Sequence, residues 1–263
     1  MDMYLLVAGL ALVAGFLSGL LGIGGGIVMA PLLLYVPPLF GLAPLSMHVV
    51  AGLTIVQGLT ACTSGVVAHH RFRCVSRGLT CWMGGTIFVT ALIGGAAAGL
   101  VANEVLLLLI FALLALVAAV LIFVPVTNDS EHPDLDDFSF NRGRAVIAAG
   151  SVGLLGGMVG QGGSFILIPL MTSFVRVPTR IAIGSNLAIV FLSSLAAFLG
   201  KAVTGQIVWP LALVIAVTVI PAAQLGGRIS RRVPVAGLRM LLAVCIGLAA
   251  VRIGISVVDS WRW

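Results

Sequence analysis

Two short runs carry the residues best suited to hold a ligand. Gly22-Ile23-Gly24-Gly25-Gly26 offers bare backbone, and Gly160-Gln161-Gly162-Gly163-Ser164 adds a side-chain amide and a hydroxyl. Glycine permits positive φ and lets another group approach the main chain with no Cβ in between. Where a helix starts just past such a run, its first N–H groups lack intrahelical partners and the macrodipole is positive, which favours an anion. Gly24, Gly25 and Gly26 in one run, and Gln161, Gly162, Gly163 and Ser164 in the other, are therefore candidate anion ligands. Thr54 and Gln57 in the second apolar segment, and Ser185 and Asn186 in the sixth, are further donors. Hydrogen bonding between helices is the alternative role for those four.

The ionisable residues set the sign of the ligand. The eight acids are Asp2, Glu104, Asp129, Glu131, Asp134, Asp136, Asp137 and Asp259, and none falls inside an apolar segment. Cation pathways and proton relays through membranes usually carry an intramembrane carboxylate. His48, His69 and His70 flank the second segment, where they read as interfacial groups; they are the nearby side chains able to titrate if a proton is coupled. Cys62, Cys74, Cys81 and Cys245 form no CxxC pair and no cluster with His, so they read as ordinary thiols and no metal or other cofactor is implied. No His-x-x-x-His, paired Asp or activated Ser or Cys constellation lies within a segment, which argues against an intramembrane enzyme.

The elements that must position these residues are membrane helices. Of 263 residues, 60% are hydrophobic and 8% charged, and the mean hydropathy of +1.23 is far above that of a soluble domain. Uncharged apolar runs cover 4–36, 49–68, 78–100, 105–126, 145–175, 181–200, 207–225 and 240–251, against the ~20 residues a bilayer crossing needs. Asp2 and the lack of a basic n-region argue against a cleaved signal peptide. The net charge of +6 comes from arginines at segment ends, a mark of membrane orientation rather than nucleic-acid binding.

An internal repeat organises these segments. "GLLGIGGGIVMAPLL" (19–33) aligns with "GMVGQGGSFILIPLM" (157–171), pairing Gly19, Gly22, Gly24, Gly25 and Pro31 with Gly157, Gly160, Gly162, Gly163 and Pro169. Downstream, Pro44 pairs with Pro178, and "GSNL" (184–187) takes the place of "AGL" (51–53). Residues 1–126 form the first repeat and 145–263 the second. The linker 127–144, with five acids, is expected to be cytoplasmic. Loop 69–77 holds three arginines and 101–104 none, whereas in the second half the loop after segment six holds Lys201 alone and 227–239 holds four arginines. Short cytoplasmic loops accumulate Lys and Arg, so equivalent loops lie on opposite sides and the repeats are inverted.

Inversion requires an odd number of crossings per half, and three simple segments meet that only if the Gly-broken one returns to its starting side. The expected fold is thus an all-α polytopic membrane protein of two inverted-topology repeats, each a Gly-broken helical hairpin plus three transmembrane helices; the alternative, eight simple crossings, would put loop 227–239 with its four arginines on the opposite face from loop 69–77. Both termini then face the periplasm. The hairpin apexes should converge near the midplane, since irregular backbone at membrane depth is tolerated only where protein or a water-filled cavity surrounds it. Gly15, Gly19, Gly94, Gly95, Gly226 and Gly227 are expected to serve close helix packing instead. Arg252, inside the final segment, is expected to snorkel outward.

The doubled glycine motif with its following proline, on both sides of a hydrophilic linker, resembles the TauE/SafE family of sulfite and organosulfonate exporters over nearly the whole chain. The resemblance implies an integral inner-membrane transporter of small sulfur oxyanions or organic acids. The family's Thr-Ser-Leu-like signature after each hairpin reads Ala51-Gly52-Leu53 and Ser185-Asn186-Leu187 here. The expected function is export of sulfite, sulfoacetate or a related sulfonate by alternating access. An uptake permease or a channel for small organic acids is the alternative. The expected partners are a small anion and the lipid bilayer, with no nucleic acid. The coupling ion, proton or another cation, and any homo-oligomeric state are left open.

Overall fold

The computed structural model describes residues 2–21, 26–69, 76–101, 103–123, 140–161 and 163–230, together with Met240, Val244, Gly247, Leu248 and Arg252 of the last apolar segment. Its helices are α1 (Met3–Leu21), α2 (Gly26–Leu39), α3 (Met47–His69), α4 (Arg77–Ala97, extended by a 3-10 turn to Leu100), α5 (Glu104–Phe123), α6 (Arg142–Val159), α7 (Ser164–Leu170, continuing as a π turn through Val175), α8 (Thr179–Val203) and α9 (Trp209–Ser230). No strand occurs among the described residues. Ser76 starts α4 by accepting a hydrogen bond from the Leu79 amide at 3.4 Å, and Asn141 starts α6 by accepting one from Arg144 at 3.1 Å.

Among the described residues six helical stretches are long and apolar enough to cross a membrane: Met3–Leu21, Met47–Ser64, Arg77–Leu100, Glu104–Leu121, Ser185–Val203 and Trp209–Ser230. Gly26–Leu39 and Ser164–Val175 are apolar but shorter. The long run 4–36 is thus broken into unequal arms, 19 residues of α1 and 14 of α2, at about 1.5 Å rise per residue roughly 28 and 21 Å. α1 ends at Leu21 and α2 begins at Gly26, on either side of the glycine run. Polarity is inverted relative to a soluble protein. Leu5, Val13, Val89, Leu113, Leu116, Val120, Leu213 and Val217 project outward, while Thr54, Gln57, Gln161, Ser164, Ser185, Asn186 and Lys201 are buried, the arrangement a bilayer selects.

The helices pack crosswise between the two halves of the sequence. α1 runs along α9, and α6 runs along α4, in two of the most extensive helix pairs of the structure. Glycines make both seams tight. A Cβ on Gly15 would lie 3.1 Å from Val219 Cα, and one on Gly19 would meet the Ala223 carbonyl. In the other seam a Cβ on Gly157 would lie 2.6 Å from the Ala91 carbonyl oxygen, and one on Gly94 would meet that of Leu154. Gly95 packs equally closely on Ala197 of α8, so small residues here bring backbones together as they do in membrane bundles generally.

Three arginine side chains lean on aromatic rings. Arg142 lies 5.5 Å from the Trp82 ring centroid, Arg144 5.9 Å from Phe174 and Arg252 4.1 Å from Tyr35. At the start of α3, His48 Nε2 donates to the Val101 carbonyl at 2.8 Å, its other ring nitrogen stands 3.8 Å from Glu104, and Glu104 also accepts from the Met47 amide at 3.2 Å.

Candidate functional site

The second glycine break is held by two residues in the left-handed region. Gly160 closes α6 at φ 77° and ψ 20°, and Gly163 opens α7 at φ 71° and ψ 10°. An L-residue in this region costs roughly 1–2 kcal/mol. Space imposes glycine as well: a Cβ on Gly160 would strike the Ala51 carbonyl of α3, and one on Gly163 the Val152 side chain. The apex thus sits directly on α3, and the Thr54 hydroxyl lies 3.1 Å from the Gly160 carbonyl and 3.2 Å from that of Ala51.

Several main-chain amides of this turn are bonded from within. Gln161 N–H donates to Gly156 at 2.9 Å, Ser164 N–H to Gln161 at 3.2 Å, and the amides of Ile166 and Leu167 to Gly163 at 3.3 and 3.2 Å. For the Ser164 amide this differs from the sequence expectation of free amides at the new helix start, because the tight αL turn folds it back on the Gln161 carbonyl. The side chains behave oppositely. Gln161, Ser164, Gln57 and Asn186 are 3%, 1%, 0% and 1% exposed, and their amide and hydroxyl groups have no hydrogen-bond partner among the described residues. Each such buried orphan costs about 1–3 kcal/mol relative to a satisfied group, and most buried polar atoms in folded proteins are paired.

The start of α2 meets this break. α2 begins at Gly26, and a Cβ there would collide with Oε1 of Gln161. Gln161 thus reaches across to the start of α2. Gln57 stands on α3 one turn beyond Thr54, and Asn186 on α8, which packs against both α3 and α7. Ser185 is tied to the start of α4, its Oγ accepting from the Ser76 amide at 3.2 Å. Of the eleven residues expected at the site, Gly26, Gln161, Gly163, Ser164, Thr54, Gln57, Ser185 and Asn186 are described. Gly24, Gly25 and Gly162 lie outside the described residues. Thr54 and Ser185 are engaged in interhelical bonds, while Gln57, Gln161, Ser164 and Asn186 keep unused polar atoms.

The sequence alone places Lys201 in the loop after the sixth segment. Lys201 belongs to the last turn of α8 and is fully buried, its ammonium donating to the Met158 carbonyl and to Gln206 Oε1, each at 3.0 Å. Gln206 in turn donates from Nε2 to the Gly95 carbonyl at 2.9 Å. The signal available was a lone lysine three residues ahead of the Thr204-Gly205 turn, within reach of a glutamine beyond it.

Six apolar helices of bilayer length, with two shorter ones starting at Gly26 and Ser164, define a multi-pass membrane protein, and proteins similar to it are named as probable membrane transporters. The chain belongs to the sulfite exporter TauE/SafE family, whose profile matches residues 7–253. It is similar to a probable membrane transporter protein of Xylella fastidiosa strain 9a5c, with 28% identity over 94% of this chain and 91% of that one. It also resembles the probable membrane transporter protein YunE of Bacillus subtilis, 24% identical over 86% of each chain, and MJ0441 of Methanocaldococcus jannaschii, 22% identical over 93% of this chain and 94% of that one. No solved structure matches it.

Proposed function

We propose that the protein carries a small sulfur-containing anion, sulfite or a compact sulfonate such as sulfoacetate, outward across the inner membrane, binding it where the two glycine breaks meet. The observation that carries this reading is the set of buried, unpartnered side chains of Gln57, Gln161, Ser164 and Asn186. Amide N–H and hydroxyl groups left unpaired in a membrane bundle are poised for a polar ligand, since without one they weaken the fold. No carboxylate is buried among the described residues, so this centre suits an anion. The name of the family supplies the substrate class.

The inverted-repeat arrangement belongs to the same reading. It is supported by the crosswise pairing, α1 with α9 and α6 with α4, which is what a two-fold relation between the halves would produce. In this scheme both termini lie in the periplasm, the acidic linker lies in the cytoplasm, and rocking about the shared apexes alternately opens the anion site to each side.

Purified protein screened for thermal stabilisation against sulfite, sulfoacetate, methanesulfonate, small carboxylates and neutral sulfones tests the substrate class. Stabilisation by sulfur anions but not sulfones, matched by flux of the same anions from proteoliposomes, is the expected result. Stabilisation by carboxylates alone would replace the substrate, and unitary currents in planar bilayers would replace the carrier with a channel.

A further inference from the structure

Among the described residues Lys201 is the one buried side chain that carries a formal charge at neutral pH in its ordinary state, and none of them provides a carboxylate within ion-pairing distance of it. A buried charge without a counter-ion is expensive and is, in a membrane protein, a functional candidate by default. Its position gives the function. α6 runs into the apex carbonyl-end first, and the aligned peptide dipoles place partial negative charge there, the wrong sign for an anion site. The other carbonyls around this end have neutral donors: those of Gly156 and Gly157 receive the Gly160 and Gln161 amides, and that of Gly160 receives the Thr54 hydroxyl. Met158 alone among these receives an ammonium.

We propose that Lys201 sets the anion preference of the transporter by neutralising the carbonyl end of α6. Gln206 fixes the ammonium from the other side and is itself anchored on Gly95 of α4. The lysine acts on the ligand through the field at the apex and not by touching it; it is a positioning charge. This inference rests on the anion site proposed above and adds the source of its positive potential. Met158 and Gln206 supply two neutral acceptors that orient the ammonium toward this end of α6.

The test compares wild type, Lys201→Arg, Lys201→Met and Gln206→Glu for binding of methanesulfonate, a monoanion, and sulfoacetate, a dianion. Lys201→Arg is expected to stay within about threefold of wild type for both, a difference of less than the 1.4 kcal/mol that corresponds to a factor of ten. Lys201→Met is expected to weaken methanesulfonate roughly tenfold and sulfoacetate more steeply, since the effect scales with ligand charge. Gln206→Glu keeps the lysine in place but cancels its charge, and the same charge-graded loss is expected, which covers the case of a Lys201→Met protein that does not fold. Equal affinities in wild type and either charge-cancelled variant, or a loss of the same size for both anions, overturns the proposal and leaves Lys201 as a structural tie. Wild type that binds neither anion removes the underlying anion site itself, and the role of Lys201 falls with it.

Discussion

The side-chain amide of Gln161 rests against Gly26, so that the start of α2 meets the turn between α6 and α7. Gly26→Ala would drive its methyl into Oε1 of Gln161, and the amide would have to move. Transport is expected to fall at least tenfold in proteoliposomes with the protein still folded. In a Gln161→Ala background the same substitution should cost little further, because the group it displaces is gone. A double-mutant cycle reads this directly, and strictly additive losses would show that the two positions act separately.

Gly160 and Gly205 separate conformation from contact. Both have positive φ, 77° and 70°, but a Cβ at Gly160 meets the Ala51 backbone while one at Gly205 meets nothing within 4 Å. Gly205→Ala should therefore cost only the left-handed strain, about 1 kcal/mol. Gly160→Ala adds a backbone collision and should cost about 3 kcal/mol or more. Thermal unfolding in detergent measures the difference, and similar losses at both sites would mean that the α6–α3 contact yields easily.

Asn186 offers a trade between stability and function. Its amide atoms have no partner among the described residues, so Asn186→Leu, of similar size, is expected to raise the stability of the ligand-free protein by about 1 kcal/mol and to abolish the stabilising effect of added anions. Asn186→Ala should instead alter which anion is preferred. A less stable Asn186→Leu protein would mean that the amide serves the fold, through contacts outside the described residues.

The orientation of the halves is open to labelling. In a cysteine-free background, Cys introduced at exposed Leu39, Leu100 and Val203 should react with an impermeant maleimide in intact cells. Cys at Gly78 and Ile229 should react only after permeabilisation. Reaction at Ile229 from outside would reverse the second half and remove the inverted repeat.

Much of this was legible because bilayers impose simple rules. Apolar runs of bilayer length became α3, α4, α5, α8 and α9, and the glycine runs became helix breaks, since adjacent glycines at a charge-free segment serve neither a helix face nor a lipid surface. Gln57, Gln161, Ser164 and Asn186 stood out as donors amid apolar sequence. Other features depend on tertiary placement. Lys201 was assigned to a loop because charge ordinarily ends an apolar run, yet Gly95 and Gly200 let α4 and α8 approach so closely that the helix continues and the lysine is enclosed. That the Ser164 amide is internally bonded followed from the αL geometry of Gly163, which composition does not encode.

The crosswise seams have a mechanical corollary. Backbones locked at Gly19 on Ala223 and at Gly157 on Ala91 leave little freedom for α1 to slide on α9, or α6 on α4. In the proposed alternating-access scheme each of those couples would move as one piece, so the moving blocks would be hybrids of early and late sequence and the line of hinging would run across the two halves instead of along them.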